Sequence, residues 1–222
     1  MILEARTQAA TTTDRRGLRS PAGAQTSPGA PGFFFLSPLT LHLDDSMSQD
    51  PAPCGDPPLT KIFGRAVSGG QTGADQGGLD AALALGVPCG GWCPKGRLSE
   101  VGPIPDKYPV KDWRTKGYPA RTKQNVIDSD GTLIFAHGKP TGGTALTVKL
   151  CRELGKPVLV LDLDDPIDPE AVWRWGHEHN VFVVNVAGPR ESKHPGIQAQ
   201  VAGVMGRVLE YAGQCYPLER KR

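Results

Sequence analysis

Two glycine-rich turns are the parts of this sequence whose residue types and spacing best suit chemistry. Ser68-Gly69-Gly70-Gln71-Thr72-Gly73 follows the apolar run 62–67, and Pro140-Thr141-Gly142-Gly143-Thr144 follows the apolar run 132–136. Glycine lets backbone amides approach a ligand closely, and the helix expected after each turn adds the positive end of its dipole. The two turns together predict a site that holds a phosphate-bearing or other oxyanionic ligand.

Polar side chains next to the first turn extend this prediction. Gln71 and Thr72 can hydrogen-bond a ligand beside the backbone amides. Asp75 stands at the start of the following helix, where a carboxylate either caps the helix or accepts from a ligand hydroxyl or amine. The sequence leaves both roles of Asp75 open.

A second group of candidates shares one face of a predicted helix. Arg121, Asn125 and Ser129 are spaced i, i+4 and i+8, and Asp130 ends the helix. Such a face is either solvated or turned toward a ligand. Because a guanidinium and an amide suit an anionic or heterocyclic ligand, we interpret this face as part of the site.

Cations beside glycine or proline form a third group of candidates, within reach of an oxyanion. Lys95 and Arg97 flank Gly96, and a similar segment, 188–193, follows a strand-like run that has Asn185 at its end. From this strand end and segment we take Asn185, Gly188, Arg190 and Ser192 as candidates. A surface turn is the alternative for either segment.

The elements that must position these residues alternate between strand-like and helix-like stretches from Lys61 onward, which predicts a mostly parallel sheet with helices on both faces. The expected strands are 62–68, 88–92, 132–136, 158–161 and 181–186, and the expected helices are 75–85, 123–129, 144–154, 169–179 and 197–212. Residues 93–119 are expected to be irregular. Since ligands bind at the carboxyl ends of parallel strands, the loops after these strands should meet at one edge.

The ends of the chain differ from this pattern. Residues 1–60 are rich in Pro, Ala and Thr and are predicted to be disordered; Met47 is an alternative start. We therefore divide the chain into a tail at 1–60, a domain at 61–213 and a C-terminal tail at 214–222. Five scattered cysteines indicate reduced thiols and a cytoplasmic protein without a metal site.

Charge and hydropathy exclude two classes of partner. The net charge of +2 gives no footprint for nucleic acid, and no apolar run is long enough to span a membrane. A small anionic ligand remains as the expected partner.

Six motifs in a fixed order resemble the putative molybdenum carrier family, also described as the circularly permuted YpsA-like branch of the SLOG superfamily. They lie at residues 68–75, 90–97, 102–109, 125–132, 142–147 and 185–192, and the resemblance covers roughly Lys61 to Ala212. The resemblance implies a three-layer Rossmann-like fold and homo-oligomers. It also implies binding of a nucleotide-like ligand, or of molybdenum as molybdate or as the molybdenum cofactor.

A related branch, the phosphoribohydrolases of cytokinin activation, carries a catalytic Glu in the motif Gly-Gly-x-Gly-Thr-x-x-Glu. If Thr144 matches the threonine of that motif, Thr147 stands at the catalytic position. A hydroxyl cannot replace a carboxylate as an acid or base near neutral pH. We therefore favour a binding protein over a nucleotide-processing enzyme, in which Asp130 or Glu191 would have to act instead.

The resulting prediction is a carrier whose backbone cradles bind an anion. Its candidate ligand-binding residues are Gly69, Gly70, Gln71, Thr72, Gly73, Asp75, Lys95, Arg97, Arg121, Asn125, Ser129, Asp130, Thr141, Gly142, Gly143, Thr144, Asn185, Gly188, Arg190 and Ser192.

Overall fold

Five short strands form a parallel sheet, as the alternating pattern predicts. The computed structural model describes residues 61–114 and 118–215. The strands are β1 (Arg65–Val67), β2 (Cys89–Gly90), β7 (Gly131–Ala136), β8 (Val158–Asp162) and β9 (Val183–Ala187). Their order is β2-β1-β9-β7-β8, and every neighbouring pair is parallel.

Helices cover both faces of this sheet. They are α1 (Ala74–Ala84), α2 (Tyr118–Ile127), α3 (Gly142–Glu153), α4 (Pro169–Glu178) and α5 (Ile197–Cys215). Helix α5 packs against α1 and α4, whereas α2 packs against α3. The predicted α/β architecture is therefore confirmed. Helix α2 begins at Tyr118 rather than Lys123, because Pro119 is tolerated in a first turn, where its missing N–H has no intrahelical partner to lose.

The stretch expected to be irregular contains two small strand pairs. Strands β3 (Trp92–Cys93) and β6 (Lys111–Asp112) are parallel, and β4 (Leu98–Ser99) and β5 (Gly102–Pro103) form an antiparallel hairpin. The segment from Trp92 to Asp112 is called the excursion below. A small apolar cluster fixes it to α1; the cluster consists of Leu79, Cys93, Ile104, Tyr108 and Val110. The excursion is thus an ordered part of the domain.

Burial in α5 follows the apolar pattern of the sequence, whereas burial in α3 and in the edge strand β8 does not. The helical spacing of four apolar residues predicts the inner face of α5, and all four are buried; they are Ile197, Val201, Val204 and Val208. In α3, by contrast, Thr144, Thr147, Val148 and Cys151 are buried, and Leu146 and Leu150 are only half-buried. Strand β8 is an edge strand, so Val160 is 40% exposed despite its apolar run.

The cysteines depart from the expected uniform reduced state. Cys89, Cys93 and Cys151 are free, whereas Cys215 is disulfide-bonded. None of the helices within the described residues is long and apolar enough to cross a membrane. The predicted N-terminal tail and residues 216–222 lie outside the described part of the chain.

Close packing of α1 on α5 depends on Gly77. A Cβ at this position would lie 2.5 Å from the carbonyl oxygen of Gln198. We expect Gly77→Ala to lower the free energy of unfolding by about 1–3 kcal/mol, because the backbone of α5 must shift. A Cβ at Gly206 would meet nothing within 4 Å, so Gly206→Ala should leave stability unchanged or raise it by up to about 1 kcal/mol. Urea unfolding measures the unfolding free energy of both variants. Equal destabilisation of Gly77→Ala and Gly206→Ala would contradict this account of the packing.

Candidate anion-binding cavity

A cavity of about 520 Å³ opens at the carboxyl edge of the sheet. Both glycine turns contribute to it, together with the loop after β9 and the first half of α2. The first turn packs directly on the loop after β9, since the Ala74 amide donates to the Pro189 carbonyl at 3.1 Å. A Cβ at Gly73 would lie 2.5 Å from that same carbonyl oxygen. The two turns therefore face one crevice, as the sequence predicts.

Asp75 occupies the first turn as an internal anion. Its carboxylate accepts from the Gln71 amide at 3.3 Å and from the Gly69 amide, and it pairs with Arg121 at 3.6 Å. Gly69 permits this pair, because a Cβ there would fall on the Arg121 guanidinium. Burial raises the pKa of Asp75, and Arg121 and the two amides offset part of that rise. The cradle expected to hold a ligand anion is thus already filled by a carboxylate.

Gln71 presents a buried donor without an acceptor. Its side-chain oxygen accepts from the Thr72 amide at 3.0 Å and from the Glu100 amide at 2.9 Å, which fixes the orientation of the amide group. Its Nε2 atom is buried and has no hydrogen-bond partner, although the residue is only 5% exposed and lines the cavity. An orphaned buried donor is unfavourable in an isolated protein and indicates an acceptor supplied by a ligand.

The second turn leaves helix amides uncapped. Thr141 is the N-cap of α3, with extended backbone angles, but its side chain makes no capping bond. The amides of Gly142 and Gly143 donate to no other described residue, whereas the Thr144 amide bonds to the Thr141 carbonyl at 3.1 Å. Unsatisfied amides at a helix amino end attract negative charge. This turn, and not the first, is open to an anion.

Basic side chains share the cavity with this turn. Arg121, Arg190, Lys193 and His194 line the cavity, and the rings of His194 and His137 stack with their centroids 5.2 Å apart. Among the described residues that line the cavity, Asp75 alone carries a carboxylate, and Arg121 offsets its charge. The potential in the cavity therefore favours an anionic ligand.

Glu100, at the tip of the β4–β5 hairpin, ties the first turn to the loop after β9. Its carboxylate accepts from the Thr72 hydroxyl, from the Ser192 hydroxyl at 2.5 Å and from the Ser192 amide at 3.1 Å. Partial burial opposes its ionisation, but the hydrogen bonds from Ser192 and Thr72 outweigh that effect and lower the pKa of Glu100. The excursion thus braces two walls of the cavity.

Most of the sequence-predicted residues surround the cavity, but not all of them. Those that line it are Gly69, Gln71, Asp75, Arg121, Asn125, Thr141, Gly142, Gly143, Thr144, Asn185, Gly188, Arg190 and Ser192. Gly70, Thr72 and Gly73 shape the first turn without lining the cavity. Lys95, Arg97, Ser129 and Asp130 lie away from it.

Helix length explains the position of Ser129 and Asp130. Eight residues of helix span about 12 Å, so a shared face does not place Arg121 and Ser129 at the same edge of the sheet. The Ser129 hydroxyl donates to the Val126 carbonyl at 3.1 Å. Asp130 precedes β7, at the amino edge, where its carboxylate accepts from the Val183 amide at 2.7 Å.

Arg97 and Asn125 have internal partners that sequence alone does not reveal. The Arg97 guanidinium donates to the carbonyls of Val110 at 2.7 Å and Tyr108 at 3.1 Å, so it holds the excursion together. Asn125 lines the cavity, but its side chain accepts from the Trp92 amide at 2.8 Å and donates to the Trp92 carbonyl at 3.1 Å. Lys95, next to Arg97 in the chain, is exposed on the same excursion.

The groups considered for catalysis are engaged in the fold. Glu191 accepts from the amides of Gly196 at 2.5 Å and Gln198 at 3.0 Å, at the start of α5. Thr147 lines the cavity, and its hydroxyl donates to the Gly143 carbonyl at 3.1 Å. Burial raises the pKa of Cys93 to about 11, so its thiol is a poor nucleophile. No group of three metal-ligating side chains occurs among the described residues.

Sequence reasoning missed Glu100, which braces the cavity walls, and left two lining residues out of the candidates. Glu100 carries no local motif and acts only through contacts with Thr72 and Ser192, which are distant in sequence. Lys193 and His194 line the cavity and lie in the loop that the strand-end rule already places at this edge, but they are not among the sequence-predicted binding residues.

The lowered pKa of Glu100 makes a testable contribution to stability. Because the pKa is lower in the folded state, the stabilisation is present above the unfolded pKa, about 4.3, and is lost as pH falls through the folded pKa. The difference in unfolding free energy between the wild type and Glu100→Gln should therefore shrink on acidification. Urea unfolding between about pH 3 and 7 measures it. The matched change Glu210→Gln, at an exposed position of α5, is the control; a difference that grows toward low pH would contradict the assignment.

Comparison with known proteins places this chain in a family. No match was found among curated proteins. A crystal structure named Putative molybdenum carrier protein, from Syntrophus aciditrophicus SB, is similar with a TM-score of 0.64 and 41% identity, over 67% of this chain and 96% of that chain. A sequence model of the Circularly permutated YpsA SLOG family matches residues 66–209. The chain belongs to this family.

Proposed function

We propose that this protein binds an oxyanionic or phosphate-bearing ligand in the cavity and acts as a carrier of molybdenum. The cargo is molybdate or the phosphate-bearing molybdenum cofactor. The family membership and the name of the 41% identical solved structure support this choice of cargo. The geometry supports an anion in particular.

The observation that carries the proposal is the convergence of unused donors on one cavity. Gln71 Nε2 is buried without a partner, and the Gly142 and Gly143 amides have no acceptor among the described residues. An unsatisfied buried donor costs about 1–3 kcal/mol. A ligand with several acceptor oxygens can remove this cost at Gln71 and bind the exposed amides of Gly142 and Gly143 as well.

The charges assign roles to the surrounding residues. The Gly142 and Gly143 amides hold the anion, with Thr141 and Thr144 beside them. Arg190 and Lys193 neutralise it from the loop after β9. Arg121 is committed to Asp75 and keeps the first turn in shape. Lys95, Arg97, Ser129 and Asp130 have no place in this proposal, because they lie outside the cavity.

The cavity volume favours the larger cargo. Cavities of about 300–1,000 Å³ are typical of sites for organic ligands and cofactors. At about 520 Å³, this cavity falls within that range. Leu146, Val186 and Pro189 give it an apolar portion that a bare oxyanion would not use. A cofactor that joins a phosphate to an organic ring fits both portions.

Homo-oligomers, which the resemblance implies, are part of the same proposal. Leu150 on α3 is half-buried and Val160 on β8 is 40% exposed, so this edge of the domain offers apolar surface. Sedimentation equilibrium of the full chain measures the assembly.

The alternative function is processing of a nucleotide derivative in the same cavity. Asp75, with its raised pKa, is the only described carboxylate that lines the cavity. Incubation with nucleoside monophosphates or NAD, followed by chromatography, separates the two functions. A carrier returns every ligand intact.

Substitution at Gly143 tests the anion site without disturbing the fold. A Cβ there would meet nothing within 4 Å, and an acidic residue near a helix amino end stabilises the helix. We expect Gly143→Asp to fold at least as stably as the wild type and to lower affinity for molybdate and inorganic phosphate by about tenfold or more, since like charges oppose each other. Isothermal titration calorimetry measures the affinities for molybdate and for inorganic phosphate.

Gly143→Asn is the matched control, equal in size but uncharged. It should weaken binding far less than Gly143→Asp. Unchanged affinity in Gly143→Asp, or an absence of saturable binding of either anion to the wild type together with no ligand in native mass spectrometry of the purified protein, would contradict the proposal.

A further inference from the structure

The wall formed by the first turn presents a hydrogen-bond donor and an acceptor side by side. Gln71 supplies the donor, Nε2, which is buried and without a partner. Asp75 supplies the acceptor, and both residues line the cavity. The main chain ties the two residues together, since the backbone amide of Gln71 donates to the Asp75 carboxylate at 3.3 Å. This wall differs from the uncapped amino end of α3, which offers donors alone.

The carboxylate of Asp75 leaves only the second of the two glycine turns open to an anion. It already accepts from the Gly69 and Gln71 amides and pairs with Arg121, so it plays the part that a bound anion would play. A second anion placed there would meet like charge in a buried setting. The anionic end of the ligand therefore belongs at Gly142 and Gly143, and a neutral end belongs at Gln71 and Asp75.

Neither side chain can exchange its role with the other. The Gln71 side-chain oxygen is held by the Thr72 and Glu100 amides, so Nε2 is the atom left for the ligand. An ionised carboxylate only accepts. A ligand group that satisfies this wall therefore accepts from Gln71 and donates to Asp75.

We propose that the wall of Gln71 and Asp75 recognises the lactam edge of an oxo-heterocycle whose phosphate lies at the amino end of α3. The ring carbonyl accepts from Gln71 Nε2, and the adjacent ring N–H donates to the Asp75 carboxylate. A ring N–H beside a carbonyl is an acidic donor and forms a charge-assisted bond with a carboxylate. The ligand class is a phosphate monoester of a hypoxanthine, guanine or pterin type of ring. This assignment rests on the proposed anion-binding function and adds the chemistry of the ligand's second end.

Ligands that differ only at this edge test the assignment. Inosine 5′-monophosphate carries the lactam, whereas purine riboside 5′-monophosphate lacks both the carbonyl and the ring N–H. We expect the full-length protein to bind the first about ten- to a hundredfold more tightly, as a two-point hydrogen-bonded edge discriminates. Inorganic phosphate should bind more weakly than either. Isothermal titration calorimetry gives the three affinities.

Substitution of Gln71 tests the donor. Gln71→Glu keeps the oxygen that accepts from the Thr72 and Glu100 amides and replaces the Nε2 donor by a second carboxylate oxygen, which can only accept and carries negative charge. We expect this change to abolish the preference for inosine 5′-monophosphate. Gln76→Glu is the control, because Gln76 is buried in the same region, bonds to the Gly70 carbonyl at 3.1 Å and does not line the cavity.

Substitution of Asp75 tests the acceptor independently. Asp75→Asn should reduce the preference, while Asp80→Asn on the same helix should retain it, since Asp80 bonds to Lys107 and Tyr108 outside the cavity. Thermal unfolding identifies a variant that does not fold, and the comparison of ligands on the wild type then decides alone.

The outcomes separate this assignment from the proposed function. Equal affinity of the wild type for the two nucleotides, or binding of molybdate and phosphate without binding of inosine 5′-monophosphate, would overturn the lactam assignment and leave an anion carrier. Failure of every anion and nucleotide to bind would overturn both. A preference that survives Gln71→Glu would also refute the role of that side chain.

Discussion

The buried ion pair between Asp75 and Arg121 is the interaction on which the geometry of the cavity depends. Both side chains are 9% exposed, and the pair joins α1 to α2 across the carboxyl edge of the sheet. Removing one partner of such a pair strands a buried charge, which typically costs about 3–5 kcal/mol. The pair also requires glycine at position 69, because any Cβ there would displace the guanidinium. A glycine that looks like a ligand contact in the sequence is thus first a packing requirement.

Strand order explains why residues far apart in the chain meet at this pair. Strand β9 comes last in the sequence but lies between β1 and β7, so its following loop packs on the first glycine turn and against the end of β7. Gly188 shows how tight this junction is, since a Cβ there would lie 2.5 Å from both Ala74 and the Phe135 carbonyl oxygen. The cavity is therefore complete only when the C-terminal part of the domain has docked. Glu100 then braces the same junction from the excursion.

The sequence predicts what depends on local pattern and fails where contacts are non-local. Apolar runs and glycine turns were sufficient to predict the five strands, the inner face of α5 and the shared edge of both turns. Spacing alone could not predict that Arg97 would bind the carbonyls of its own excursion or that Asp130 would face the amino edge. The leucines of α3 mislead for a similar reason. Leu146 and Leu150 are only half-buried, and the buried positions of α3 include Thr144 and Thr147, which line the cavity.

The difference between the two glycine turns constrains the size of any ligand that satisfies all the hydrogen-bond donors of the cavity. A bare tetrahedral oxyanion at Gly142 and Gly143 would leave Gln71 Nε2 buried and without an acceptor, at a cost of about 1–3 kcal/mol. Water could bridge part of the distance, but an ordered water gives up entropy of its own. A ligand that reaches from the amino end of α3 to the first turn removes that cost and also contacts apolar residues that line the cavity. Hydrogen-bond satisfaction alone therefore favours a two-ended organic phosphate over a free oxyanion.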